Sequence, residues 1–188
     1  MHLYALNDGR EVTIRPIRAD DGERLQQSHA RLSPESQYRR FLSTKPQLTT
    51  ADTRYLVDVD GLGHFALVAT VMESGEEAIV AVARFVCLLT VPGTAEFAIV
   101  VGDAYQRQGL ARELLATLTD AAGERGIRRF RAMMFADNIA IARLLSDQAV
   151  GEPRRSSLGS VSELEIDLPP RFVDGSPAPA MIAACPGS

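Results

Sequence analysis

Three apolar runs follow one another with almost nothing between them. His64 to Met72, Ala78 to Leu89 and Ala95 to Val101 are separated only by short turns, at Ser74-Gly75 and at Val91-Pro92-Gly93. Apolar runs of this length bounded by turn residues read as strands, and connections this short make them antiparallel. The apolar period then changes. Leu110, Leu114, Leu115, Leu118, Ala121 and Ala122 recur at helical spacing, and Gly126 stands where a helix stop belongs. A meander that hands over to an amphipathic helix buries the helix stripe against the sheet. The fold class is therefore α/β, a mixed and mostly antiparallel central sheet flanked by helices.

The rest of the chain extends this plan. Val12 and Ile14 share one face of a strand over 11–15, which Pro16 ends. Asp20 followed by Glu23 starts a helix to about Leu32, and Ser33-Pro34 starts another over 34–43. A short helix is expected from Thr50 to Asp58. Arg129 to Phe135 reads as a strand, Asp137 as the cap of a helix over 138–148, and 151–156 with 161–168 as a hairpin. One domain over 1–168 accounts for all of these. From Pro169 to Ser188, five prolines lie among Gly, Ala and Ser, which predicts a flexible tail.

Composition narrows the function classes. Twenty basic residues against 24 acidic ones give a net charge of −4, which argues against a nucleic-acid binder. Lys45 is the only lysine. No run of apolar residues is long enough for a membrane span, and the N-terminus lacks a secretory pattern, so a cytoplasmic protein is expected. Cys87 and Cys185 make no disulfide framework. His2, His29 and His64 form no close cluster with them, so no metal site is expected.

Gln106-Arg107-Gln108-Gly109-Leu110-Ala111 lies just past the third strand and opens the helix. A helix start has unpaired N–H groups and the positive end of the helix dipole. Gly109 and Ala111 lack bulk there, and Arg107 and Arg112 add charge, so the segment suits a phosphate. On the residues alone, an ordinary helix start explains it equally well.

Gln-x-x-Gly-x-Ala after Ile99-Val100-Val101 resembles the pyrophosphate-binding motif of the GNAT superfamily of N-acetyltransferases. IRPIRADD (14–21), LSPESQYRRF (32–41), AEFAIVV (95–101), YQRQGLA (105–111), RGIRRF (125–130) and ADN (136–138) together resemble the catalytic domain of bacterial protein-lysine acetyltransferases. The resemblance covers about residues 10–168 and implies the GNAT-type acyl-CoA N-acyltransferase fold. It implies acetyl-CoA as co-substrate, wrapped at its pyrophosphate by Gln106 through Ala111. Ile99, Val100 and Val101 would offer backbone groups to the pantetheine arm where their strand splays at a bulge. Asn138 matches an Asn that contacts the cofactor in the superfamily, although a plain helix cap explains it as well.

Glu96 matches the carboxylate that the resembling enzymes use as general base. A free lysine amine has a pKa of about 10.4, so it must lose a proton before it attacks a thioester. A solvent-facing Glu on an alternating strand is the other reading, and His64 is a reserve base. One departure stands out: Leu145 occupies the place of a Tyr that returns a proton to the departing thiolate in many relatives. Tyr38, Arg39, Arg40 and Phe41 match a helix that could line the acceptor cleft. Arg128, Arg129 and Arg131 could meet an adenosine phosphate, and Asp58 and Asp60 could attract a cation, but solvated surface accounts for both groups.

The resemblance thus implies acetyl transfer to a primary amine, either a protein lysine or a small molecule, by direct attack in a ternary complex. The acidic total suits a cationic amine if acidic residues gather at the acceptor mouth. A non-catalytic acyl-CoA-binding regulatory module of the same fold is the alternative. The sequence leaves a homodimer through the last strands open.

Overall fold

The computed structural model describes residues 1–170, together with Phe172–Val173 and Ser176–Pro177. Most of the expected tail, with Cys185, lies outside the described residues. Eight strands form one sheet: β1 (His2–Ala5), β2 (Glu11–Pro16), β3 (His64–Glu73), β4 (Glu76–Cys87), β5 (Thr94–Val101), β6 (Arg129–Phe135), β7 (Arg154–Leu158) and β8 (Val161–Asp167). Their order is β1-β2-β3-β4-β5-β6-β8-β7, and every pair is antiparallel except β5 with β6. The helices are α1 (Gly22–Ala30), α2 (Pro34–Phe41), α3 (Thr50–Val57), α4 (Leu110–Glu124) and α5 (Ile139–Ser146). Two short strands, β9 (Phe172–Val173) and β10 (Ser176–Pro177), pair apart from the sheet.

The sheet is buried on both faces. On one, Leu110, Leu114, Leu115, Leu118 and Ala122 of α4 meet Phe65, Leu67, Ala83, Phe85 and Phe97. On the other, Leu25 of α1 and Leu56 of α3 meet Ala66, Val68, Ile79 and Val82. Alternate residues of β3 and β4 thus serve opposite cores, which is why these strands read as unbroken apolar runs.

Local punctuation acts as expected at several ends. Ser33 Oγ accepts the Ser36 N–H at 3.2 Å to cap α2. Ser74 (φ 53°) and Gly75 (φ 87°) make the β3–β4 turn left-handed at both central positions. Two caps differ from expectation. Asn138, not Asp137, caps α5, its Oδ1 accepting the Ile141 N–H at 3.3 Å. Asp21, rather than Asp20, is the N-cap of α1; it makes no side-chain cap bond there, and its carboxylate accepts the Arg18 N–H in the turn before the helix.

Asp21 is fully buried. Its carboxylate takes two hydrogen bonds from Arg15, at 2.7 and 2.8 Å, and the Arg18 N–H at 2.8 Å. Arg15, also buried, reaches Glu77 at 2.8 Å. Burial is the largest influence on the Asp21 carboxyl and raises its pKa, but Arg15, the Arg18 N–H and Arg24 together hold it below the ordinary value. Arg15 holds Glu77 low as well. Both folded pKa values are depressed, so their stabilisation is complete above the unfolded values near about 4. It is lost as pH falls through the folded values. Asp21→Ala removes the fully buried partner of Arg15 and leaves Glu77 as its remaining carboxylate, at an expected cost of about 3 kcal/mol. Urea unfolding at several pH values checks both points: the variant shows a lower midpoint at pH 7 and a shallower acid loss.

Candidate active site

The central feature is a parting of two strands. β5 pairs with β4 without interruption from Ala95 opposite Cys87 to Val101 opposite Ala81. With β6 it pairs only from Thr94 to Glu96. β6 stays with β8 along its whole length, from Arg129 to Phe135, and so diverges from β5 after Glu96. The bulge expected in β5 is not found there. The register shift lies between Ala69 and Thr70 of β3, where Val80 of β4 has no partner. Divergence of β6 opens the gap instead.

The direction of the β5 backbone follows from its ends. Leu88 N–H donates to the Thr94 carbonyl at 2.9 Å, and Gly102 N–H donates to the Val80 carbonyl at 2.8 Å. Antiparallel alternation between those two bonds turns the backbone groups of Glu96, Ala98 and Val100 toward β4. Those of Ile99 and Val101 face the gap. Gln106 Nε2 donates to the Val101 carbonyl at 3.2 Å. Val100 spends its backbone on the ladder and packs its side chain on the α1/α3 core.

At the far end of the gap, α4 begins without a side-chain cap. Gly109 is its N-cap at φ 84°, and its carbonyl accepts the first helical bonds from Arg112 and Glu113, at 3.0 and 3.2 Å. The Leu110 and Ala111 N–H groups are thus left for an external acceptor, the polarity an anion needs. The Leu110 side chain is buried in the core, while Gln106 and Arg107 are exposed and Gln108 and Ala111 half-buried. β1, which the sequence reading missed, braces this loop. A Cβ on Gly109 would sit 2.6 Å from the Tyr4 hydroxyl, and Asn7 N–H donates to the Gln108 carbonyl at 3.3 Å. Arg112 is exposed and pairs with Asp147 at 2.6 Å. The donors present therefore fit a pyrophosphate through backbone N–H groups and Arg107.

Glu96 is the last β5 residue paired to β6, so it stands where the gap opens. Its exposed side chain lies on the opposite face from Phe97 and Ile99, in a cleft of about 290 Å³. Ala98, Arg84 and Val86 form the sheet side of that cleft, and Arg40 and Phe41 of α2 with Tyr55 and Leu56 of α3 form the other. Lys45 and Asp52 also line it and are paired at 2.7 Å, which holds the Asp52 carboxyl down to about 2.

Acidic residues do not gather here as the sequence reading required. Asp60 turns inward to accept the Leu62 and His64 N–H groups, and Asp58 ends α3. Arg84 is buried instead. Its Nη2 donates to the Leu56 carbonyl and its Nη1 to His64 Nε2, both at 3.0 Å. That bond occupies the His64 lone pair, and burial and then Arg84 push the His64 pKa down, so His64 is a neutral brace. The warning for Arg84 was visible: it is the one charged residue in the apolar run from Ala78 to Leu89.

Other candidates fall elsewhere. Leu145 is buried in the core, and the neighbouring Ser146 hydroxyl donates to the Ala142 carbonyl at 2.8 Å. Arg128, Arg129 and Arg131 lie at the start of β6. That strand runs parallel to β5, so they are at the opposite end from the α4 loop. Arg129 and Arg131 are paired with Asp167 and Glu165. Tyr38 stacks on Phe135 at 4.8 Å, and Arg39 reaches Asp137 at 3.3 Å, so α2 bridges the gap. Its other end is held by Asp103, whose carboxylate accepts from Ser33 N–H, Ser33 Oγ, Ser36 Oγ and Gln106 Nε2. Among the described residues, no helix is long and apolar enough to cross a membrane.

Comparison with known proteins agrees with this geometry. A family model described as an acetyltransferase (GNAT) domain matches residues 11–147. Acetyltransferase PA5475 of Pseudomonas aeruginosa is 36% identical over 139 residues, covering 74% of either chain. Acetyltransferase Pat of Mycolicibacterium smegmatis is 36% identical over 162 residues, which are 86% of this chain and 47% of that protein. The chain thus spans about half the length of that relative. The crystal structure of the GNAT domain of S. lividans PAT superposes with a TM-score of 0.78 at 33% identity, covering 89% of this chain and 96% of that one.

Proposed function

Because this chain belongs to the GNAT acetyltransferase family, we propose that it transfers the acetyl group of acetyl-CoA to a primary amine bound in the cleft beside Glu96. One observation carries this reading. Glu96 stands where β5 and β6 part, with the acceptor cleft beside it and the uncapped start of α4 at the other end of the gap.

Acetyl-CoA supplies an activated acyl group, whose C–S bond breaks as the amine N–C bond forms. The Leu110 and Ala111 N–H groups, with the Gly109 turn, hold the pyrophosphate. The gap-facing backbone of Ile99 and Val101 aligns the pantetheine arm, after Gln106 releases the Val101 carbonyl. A donor N–H on this strand also polarises the acyl oxygen. Glu96 accepts one proton from the acceptor ammonium. The second amine proton ends on the departing thiolate. Leu145 brings no hydroxyl to that step and the Ser146 hydroxyl is spent, so the thiolate takes its proton through solvent.

The test is thiol release from acetyl-CoA against a panel of lysine peptides, amino acids and polyamines, with calorimetric titration of coenzyme A alongside. Release with at least one amine supports the reading. Tight coenzyme A binding with no release from any amine would identify a non-catalytic acyl-CoA-binding module instead, the reading that Leu145 favours.

A further inference from the structure

The charges in the acceptor cleft do not suit an acceptor that is only a cation. Lys45 and Asp52 neutralise each other. That leaves Arg40 and Arg84 facing a single carboxylate, Glu96. Arg84 is 4% exposed, and among the described residues its guanidinium bonds only to His64 and the Leu56 carbonyl, with no carboxylate partner. Its Nη groups touch only neutral acceptors, and its Nε–H has no partner at all. Among the described residues, Arg40 makes no hydrogen bond or ion pair either, its guanidinium lying over the Phe41 ring at 4.9 Å. Burial first, and then Arg40, bring the Arg84 pKa down to about 9, so the group is still charged at neutral pH.

A buried guanidinium with a spare donor and no counter-charge is costly unless something else completes it. Guanidinium groups match carboxylates through paired N–H donors. The remaining wall, Phe41, Leu56, Val86 and Ala98, is apolar. The volume of about 290 Å³ suits a small molecule rather than a folded protein surface.

We propose that the acceptor is a small amine that also carries a carboxylate, an α-amino acid with an apolar side chain. Its anion is held by Arg84 and Arg40 while its amine is presented to Glu96. This deepens the acetyltransferase reading and rests on it. A lysine within a peptide offers no carboxylate at that distance from its amine. Its cation would enter a cleft whose lining carries one positive charge in excess.

The experiment uses the full chain with acetyl-CoA and follows thiol release. L-Leucine and L-phenylalanine are compared with their amides and with isoamylamine and phenethylamine, all expressed per unprotonated amine. The amino acids are expected to exceed both neutralised sets in kcat/KM by about 10- to 100-fold, the worth of hydrogen bonds to a charged group. Arg84→Gln and Arg40→Gln are each expected to erase most of the roughly 10- to 100-fold advantage of the amino acids over isoamylamine, a ratio measured within one variant and so insensitive to a general loss of activity. Arg40→Gln serves alone if Arg84→Gln does not fold, since Arg84 also anchors the end of α3. Equal rates on acids, amides and amines would overturn the carboxylate proposal and leave the acetyltransferase reading standing. A lysine peptide that outperforms every amino acid would do the same. No release from any amine would remove both.

Discussion

Glu96→Gln is expected to lower kcat for amine acetylation by about 10²- to 10⁴-fold at neutral pH, the usual contribution of a positioned base. Gln preserves the size of the side chain and its place opposite Val86 and Arg131. It cannot take a proton. Because the Glu96 side chain faces the acceptor cleft and not the gap, acetyl-CoA binding stays unchanged. The residual rate of the variant rises about tenfold per pH unit toward the amine pKa, since only the free amine attacks. The wild-type profile is flatter. Stopped-flow thiol release across pH, with calorimetric titration of acetyl-CoA, separates these outcomes. Wild-type turnover in the variant at neutral pH would remove Glu96 as the base. Lost acetyl-CoA affinity would assign it to the other substrate.

Gly109→Ala is expected to weaken acetyl-CoA binding by about 10- to 100-fold, from the strain of a side chain in a left-handed conformation. Two costs act together. The φ of 84° is open to glycine and poor for alanine, and the new Cβ would sit 2.6 Å from the Tyr4 hydroxyl. Tyr4 is the tip of a side chain and can move; the backbone angle cannot relax without turning the Leu110 and Ala111 N–H groups aside. Adding Tyr4→Phe therefore restores only part of the affinity. Isothermal titration with coenzyme A reads both steps. An unaltered affinity in Gly109→Ala would show that the pyrophosphate is held elsewhere.

Much of the fold was legible because the chain punctuates itself locally. Ser33-Pro34, Ser74-Gly75 and Gly126 each act within a few residues, and each ends or starts an element where expected. The long strands were legible because both of their faces are buried. What failed was non-local. β1 is a four-residue edge strand with mostly exposed side chains, so it has no apolar pattern to detect. The parity of β5, which separates Ile99 and Val101 from Val100, depends on which neighbour each backbone group faces. Arg84 reads as a blemish in an apolar run until Leu56 and His64, 28 and 20 residues away, are packed around it. The excess of acidic residues over the whole chain likewise said nothing about the sign of the cleft. Charge totals do not reveal where charges gather.

Asp103 grips both ends of a two-substrate problem. Its carboxylate accepts from Ser33 and Ser36 on α2 and from Gln106 of the loop before α4. Its pKa lies below the ordinary value, since bonds from both serines outweigh the larger, opposing influence of burial. Freeing Gln106 for one ligand loosens a contact that steadies the helix over the other. In the transfer proposed above, where acetyl-CoA takes Gln106 from Val101, the two binding free energies would share a term, and each ligand would alter the affinity of its companion by the same factor. Asp103→Ala is expected to make the two dissociation constants independent, as titration of each ligand with and without the other would show. The sequence of substrate arrival would then be a property of one aspartate.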